Sequence, residues 1–239
     1  MTTKPGFVAL WHNVPAAVDE EYNLVHTREH VPDYVANAIG RGGIEYGRRY
    51  NEGDGTLPRY FMFYPTSDID AFATLAAKPW PEHPGGTSDW FNSILDQYRD
   101  SWRNNCQLLG QIGGGTGGVA LSVIMPMGED LKSNAVVQEL LADLIKIPEV
   151  IAARLGETLP EIEPNRPPLS AADPTVAVLV VEGFNRARLA RRLVQILDLL
   201  KAKGVDTDKA TYGLYNLAYE LRHETLDDLE AFDGHARRW

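Results

Sequence analysis

The chain has 239 residues, of which 44% are hydrophobic and 23% charged, a balance that supports a packed core and excludes intrinsic disorder. A formal charge of −10 argues against nucleic acid or anionic lipid as a partner, and the single cysteine, Cys106, excludes an internal disulfide and a cysteine-based zinc site. Apolar runs such as Val176 to Val181 are too short to span a bilayer and no apolar signal core precedes the first strand, so a soluble, cytoplasmic protein with no membrane partner is expected.

In chain order, Phe7 to Asn13 reads as a strand, and Asp19-Glu20-Glu21 opens a helix to about Asn37 whose apolar face carries Leu24, Val31, Val35 and Ala38. Gly40, Gly42 and Gly43 end it, and Ile44 to Asn51 and Arg59 to Tyr64 follow as a hairpin around Glu52-Gly53-Asp54-Gly55. Asp68 to Ala77 and Asp89 to Trp102 carry helical patterns, and Asn105 to Ile112 supplies a fourth strand. The order β-α-β-β-α-β recurs after Gly118: strand Val119 to Met125, helix Asn134 to Ile145, strands Glu149 to Leu155 and Thr175 to Gly183, helix Arg186 to Lys203 and strand Thr211 to Glu220. The proline-rich Leu159 to Pro168 reads as a surface loop.

This order predicts an α+β fold of two tandem ferredoxin-like repeats, residues 1–113 and 119–239, joined by a glycine-rich segment, 114–118. One repeat leaves a sheet face uncovered, so the two are expected to pack sheet to sheet as an intramolecular barrel, giving a monomer or a homodimer. The run Gly113 to Gly118 satisfies a GxGxxG pattern, but it opens into a strand instead of a helix and so lacks the helix N-terminus that receives a pyrophosphate.

Residues able to carry chemistry gather in the first half. His26, Glu29, His30 and Asp33 stand at i, i+3, i+4 and i+7 on the first helix, a general base with orienting carboxylates or, alternatively, a solvated, locally paired face. His30 lies toward the edge of the apolar stripe and is the leading base or, equally, a structural histidine; His26 falls nearer the polar centre. No HExxH order accompanies the histidines, so no metal site is assigned. On the second strand Tyr46, Arg48 and Tyr50 share one face, where Arg48 suits an oxyanion or, equally, a salt bridge. Trp11 suits a pocket wall, and Trp80 and His83, in a Pro- and Gly-rich loop, suit a lid over substrate or a loop packed on its own domain. The second half has no matching constellation and reads as a structural partner.

The opening strand with Trp11, the helix His26-Thr27-Arg28-Glu29-His30-Val31-Pro32 and the strand Gly47-Arg48-Arg49-Tyr50 resemble the dimeric α+β barrel superfamily, and more closely its EthD-like branch. The resemblance covers the first half, while the second matches in element order alone. It implies a pocket between helices and sheet, and functions ranging from cofactor-independent monooxygenases and isomerases to haem binding. The expectation is an enzyme that needs no bound cofactor and moves a proton on a small apolar aromatic or polyketide-like molecule, as a lyase, isomerase or cyclase. The alternatives are a cofactor-free monooxygenase and a non-catalytic small-molecule or haem-binding protein.

Overall fold

A computed structural model describes residues 4–37, 44–56, 58–69, 88–159 and 176–222. Strand β1 (Gly6–Asn13) leads into α1 (Asp19–Val25), a π-helical turn (His26–His30) and α2 (Val31–Asn37). Strands β2 (Tyr46–Glu52) and β3 (Tyr60–Thr66), helix α3 (Asp89–Leu95) and strand β4 (Arg99–Gly113) follow. The remainder comprises β5 (Val119–Pro126), α4 (Asn134–Leu144), β6 (Val150–Thr158), β7 (Val176–Gly183), α5 (Arg186–Arg191), α6 (Leu193–Ala202) and β8 (Thr211–Arg222).

The eight strands form one closed barrel in the order β1-β3-β2-β8-β5-β7-β6-β4, every ladder antiparallel. Strands up to residue 113 stand side by side as β4-β1-β3-β2, those from residue 119 as β8-β5-β7-β6, and the β2–β8 and β4–β6 ladders close the ring. Closure leaves none of the eight with an unpaired edge.

Strand alternation sorts side chains between two faces. Phe7, Ala9, Trp11, Tyr46, Tyr50, Phe61 and Phe63 meet Ala120, Ile124, Val178, Val180 and Tyr215 inside the barrel. Outside, Leu121, Val123, Leu155 and Leu179 pack under α4 and α6, while Val8, Met62 and Tyr64 pack under α2. Cys106 is buried in the interior cluster, where desolvation pushes its thiol up to about 12. It is the small buried hydrophobe that its place in a strand-like run suggests.

Two sequence expectations are corrected. The helix starting at Asp89 ends at Leu95, because Arg99 to Trp102 pair with β1 instead, Asn13 opposite Arg99 and Trp11 opposite Trp102; the ladder overrides a helical pattern. The helix over Arg186 to Lys203 breaks at Arg192, whose Nε donates to Glu149 at 2.8 Å. The Leu159 to Pro168 loop and the Asp68 to Ala77 helix fall mostly outside the described residues. Among the described residues, no helix is long and apolar enough to cross a membrane.

Candidate functional site

The π turn at His26–His30 has a local cause. Pro32 carries no N–H and its ring crowds the carbonyl of residue 28, so the helix cannot keep its regular i→i−4 bond there; the Val31 N–H instead reaches five residues back to the His26 carbonyl. The widened turn directs His26 inward, and it is fully buried, not placed at the polar centre of the helix as the regular helical wheel predicts.

His26 has one permitted neutral tautomer. Its Nδ1 lies 3.0 Å from the Tyr22 carbonyl, which only accepts, so Nδ1 carries the proton and Nε2 accepts from the Tyr98 hydroxyl at 2.7 Å. Burial, with the charges of His30, His12 and Arg49, holds its pKa well below the usual histidine range. Burial likewise raises the Tyr98 hydroxyl well above its ordinary range, so this hydroxyl is a donor.

His12 lies beneath, on β1. Its ring stacks on Tyr98 with centroids 4.1 Å apart and planes 6° apart, and its Nε2 is 2.8 Å from the Tyr22 hydroxyl. That hydroxyl also lies 4.0 Å from Met62 Sδ; in the tautomer in which His12 Nε2–H donates to Tyr22, the lone pair stands on Nδ1. Nδ1 is buried with no partner, and desolvation, reinforced by His30 and Arg49, lowers the His12 pKa to about 3.

Arg49 occupies the same face. Its Nη1 donates to the backbone carbonyl and side-chain oxygen of Asn23 at 3.1 and 2.9 Å, while its Nε is buried without a partner. The Tyr64 hydroxyl, on β3, is a third orphan. Each of these buried, unpaired polar atoms is a point where a bound molecule or water can complete the hydrogen bonding.

The expected site residues divide between the two faces of the sheet. His26 and His30 belong to the helix side, with ring centroids 4.9 Å apart; His30 is half-buried and stacks on Phe91 at 4.0 Å. Glu29 accepts from the hydroxyl of Ser88, the N-cap of α3, and so ties two helices together. Trp11, Tyr46 and Arg48 point into the barrel. Trp11 Nε1 donates to Ser122 Oγ at 3.1 Å, and Arg48 donates to Glu182 at 2.8 Å and Glu220 at 2.5 Å. The single pocket expected to combine His30 with Arg48 is therefore not formed: the sheet lies between them. Trp80 and His83 lie outside the described residues.

His12, Arg49 and Tyr98 are the residues that sequence reasoning missed. Alternation along β1 and β2 puts His12 and Arg49 opposite Trp11 and Arg48, and the choice of face turned on Gly47. A Cβ there would meet Val31 Cγ1 at 2.8 Å and Val35 Cγ2 at 3.0 Å, so the bare glycine is where α2 lands on β2. Among the described residues, no group of three or more His, Cys, Asp or Glu side chains is arranged to hold a metal ion. A haem ligand needs an uncommitted imidazole nitrogen, and both of those on His26 are engaged.

This architecture is that of an eight-stranded α+β barrel with helices packed outside the sheet. No family model matches the chain, and no curated protein matches it at the threshold of significance. Solved structures share the fold. An anthrone oxidase-like protein superposes with a TM-score of 0.62 at 9% identity, covering 92% of this chain and 94% of its own. A provisionally assigned monooxygenase from Lactobacillus acidophilus gives 0.58 at 8% identity, with 92% and 97% covered. Another from Fusobacterium nucleatum gives 0.57 at 10%, with 93% and 96% covered. At these identities the likeness is one of fold.

Proposed function

We propose that the chain is an enzyme that removes a proton from a small aromatic or polyketide-like substrate held between α1, the π turn and the outer face of β1 and β2. The observation that carries this reading is the bare, buried Nδ1 of His12, an imidazole kept neutral in a dry aromatic setting. Tyr22 orients the ring through Nε2. Arg49, with its unpaired Nε, is the guanidinium available to the enolate or phenolate oxygen that forms, the role that the sequence pattern suggested for Arg48. His26 and Tyr98 form the packed wall behind His12, and His30 stands at the half-buried rim.

A low resting basicity is compatible with this role. Desolvation penalises an isolated imidazolium, but proton transfer creates an imidazolium and an anion together, and their attraction in a dry site offsets the penalty. The reaction is a proton transfer with the electron pair retained on the substrate, leading to isomerisation, cyclisation or elimination. The monooxygenase alternative uses the same base. The substrate carbanion then forms a C–O bond to O2, and the protonated peroxide loses water to leave a carbonyl, with one oxygen atom in each product.

We also propose that the chain is a tandem duplication of one ferredoxin-like unit over 1–113 and 119–239, a reading supported by the matching strand orders β4-β1-β3-β2 and β8-β5-β7-β6.

Anthrone, whose methylene is acidified by a conjugated carbonyl, is a suitable probe. The protein is expected to accelerate deuterium exchange at that carbon, and His12→Gln is expected to lose roughly 10²- to 10⁴-fold of the acceleration. Exchange coupled to oxygen uptake selects the monooxygenase, and exchange alone the proton-transfer enzyme. Neither exchange nor uptake above buffer, or full activity in His12→Gln, rejects the proposal.

A further inference from the structure

The barrel interior carries a second polar cluster, which the proposed reaction does not use. Glu182, on β7, is fully buried and accepts from Arg48 Nη1 at 2.8 Å, Arg154 Nη1 at 2.5 Å and the Gly117 N–H at 2.9 Å. Glu220, on β8, accepts from Arg48 Nε at 2.5 Å, Arg222 Nε at 2.8 Å and the Thr116 hydroxyl at 3.0 Å. The cluster spans the β2–β8 seam, and the glycine-rich segment closes over it, Thr116 also accepting from Arg48 Nη2 at 2.7 Å.

Three guanidiniums face two carboxylates here, leaving one positive charge inside a chain whose net charge is −10. Water screens part of this excess at Arg222, which is 41% exposed, and an added anion would offset the rest. Every donor group of Arg48 is engaged, whereas Arg154 uses only Nη1, and its Nε and Nη2 have no partner among the described residues. The Tyr46 hydroxyl is buried and unpartnered. The Tyr46 ring lies under Arg48, 4.1 Å from its Cζ, with Arg222 Cζ at 5.3 Å. Phe63 lies beside both remaining donors, 5.9 Å from Arg154 Cζ and 6.4 Å from the Tyr46 ring.

The cluster is reached from one end of the barrel. Arg154 is 14% exposed, Glu220 19% and Arg222 41%, and Gln111, which pairs in register with Arg154, is exposed. We infer that this mouth is a binding site for a small aromatic carboxylate, its two oxygens taken by the free edge of Arg154 and by the Tyr46 hydroxyl, its ring against Phe63. A planar carboxylate matches the fork of a guanidinium, and a phenol adds a donor that stays protonated because burial raises the Tyr46 pKa. Binding one such anion neutralises the cluster. The site lies on the opposite side of the sheet from His12 and stands independently of the proposed reaction.

Benzoate is the probe, titrated by calorimetry against the full chain, with the neutral isostere benzamide and inorganic phosphate as comparisons. Benzoate is expected to bind and benzamide not to bind. Tyr46→Phe keeps the ring between the two arginines and removes only the hydroxyl, and a roughly tenfold loss of benzoate affinity is expected, the size of one hydrogen bond to a charged group. Arg154→Gln is expected to lose more, while His12→Gln leaves benzoate affinity unchanged. Affinity unaltered in both Tyr46→Phe and Arg154→Gln overturns the assignment, as does loss confined to His12→Gln, which moves the ligand to the helix side. Phosphate binding as tightly as benzoate overturns the planar-carboxylate specificity.

Discussion

His12 and His26 each contribute to stability through the proton they do not carry. The folded-state pKa of His12 is lowered to about 3 and that of His26 also lies well below the ordinary 6.5. Below pH 6.5 the unfolded chain therefore takes up protons that the folded chain refuses, and stability falls as pH falls. The contribution of each ring is complete above pH 6.5 and erodes through the window down to its folded pKa. Between pH 7.5 and 5.5 each costs on the order of 1 kcal/mol. Urea unfolding at the two pH values is expected to show about twice that loss in the wild type, and His12→Gln to remove one share of the slope. A wild-type stability that is flat over this range contradicts neutral burial of the pair. The same rings show how far sequence reading reaches at this scale. A helical wheel of regular pitch sent His26 outward, since nothing in the heptad-like spacing of His26, Glu29, His30 and Asp33 announces a widened turn. Pro32 did announce it, because a proline six residues after His26 removes the donor that regular pitch requires.

The helices and strands decide which of two neighbouring arginines meets the helix-side site. Strand alternation was legible in Tyr46-Gly47-Arg48-Arg49-Tyr50, and the structure keeps it: Arg48 turns into the barrel and Arg49 toward α1. Which face receives the helix was not legible from the strand alone. It depends on the absence of a side chain at Gly47, where Val31, Val35 and Tyr64 all come within 3.0 Å of the position a Cβ would take. Val31 and Val35 are β-branched and stiff at χ1, so they cannot swing aside cheaply. Gly47→Ala is therefore expected to push α2 off β2 and to cost about 1 to 3 kcal/mol, read as a lower urea midpoint with an unchanged m-value. The displacement also loosens the Arg49–Asn23 contacts, so reaction at the helix-side site should fall while benzoate binding at the barrel mouth persists. Equal loss of both would mean that the two faces are not mechanically separate.

Across the whole molecule, closure of the ring joins residues that no local pattern connects. The order of strands and helices was readable in outline from hydrophobic periodicity, and it anticipated an α+β barrel. The pairing of Arg48 with Glu182 and Glu220 was not, because the partners are 134 and 172 residues away and meet only once β2 has docked on β8. Non-local contacts of this kind are reached late, after the entropy of closing the long loops has been spent. The cluster is thus a lock on the seam, and its strength is asymmetric. Glu182 has no exposure to water and Arg48 is 1% exposed, so neutralising the acid leaves a buried guanidinium with half its compensation gone. Glu182→Gln keeps the shape and the acceptor oxygen but removes the charge. It is expected to destabilise the fold by about 3 to 5 kcal/mol, the usual cost of breaking a buried pair from one side. A mutation acting on a contact formed after the transition state raises the unfolding rate and leaves the folding rate nearly unchanged. Stopped-flow chevrons of Glu182→Gln should therefore show a steep rise in the unfolding limb alone; a matching fall in the folding limb would place seam closure before the barrier and make the arginine–glutamate cluster part of the folding nucleus.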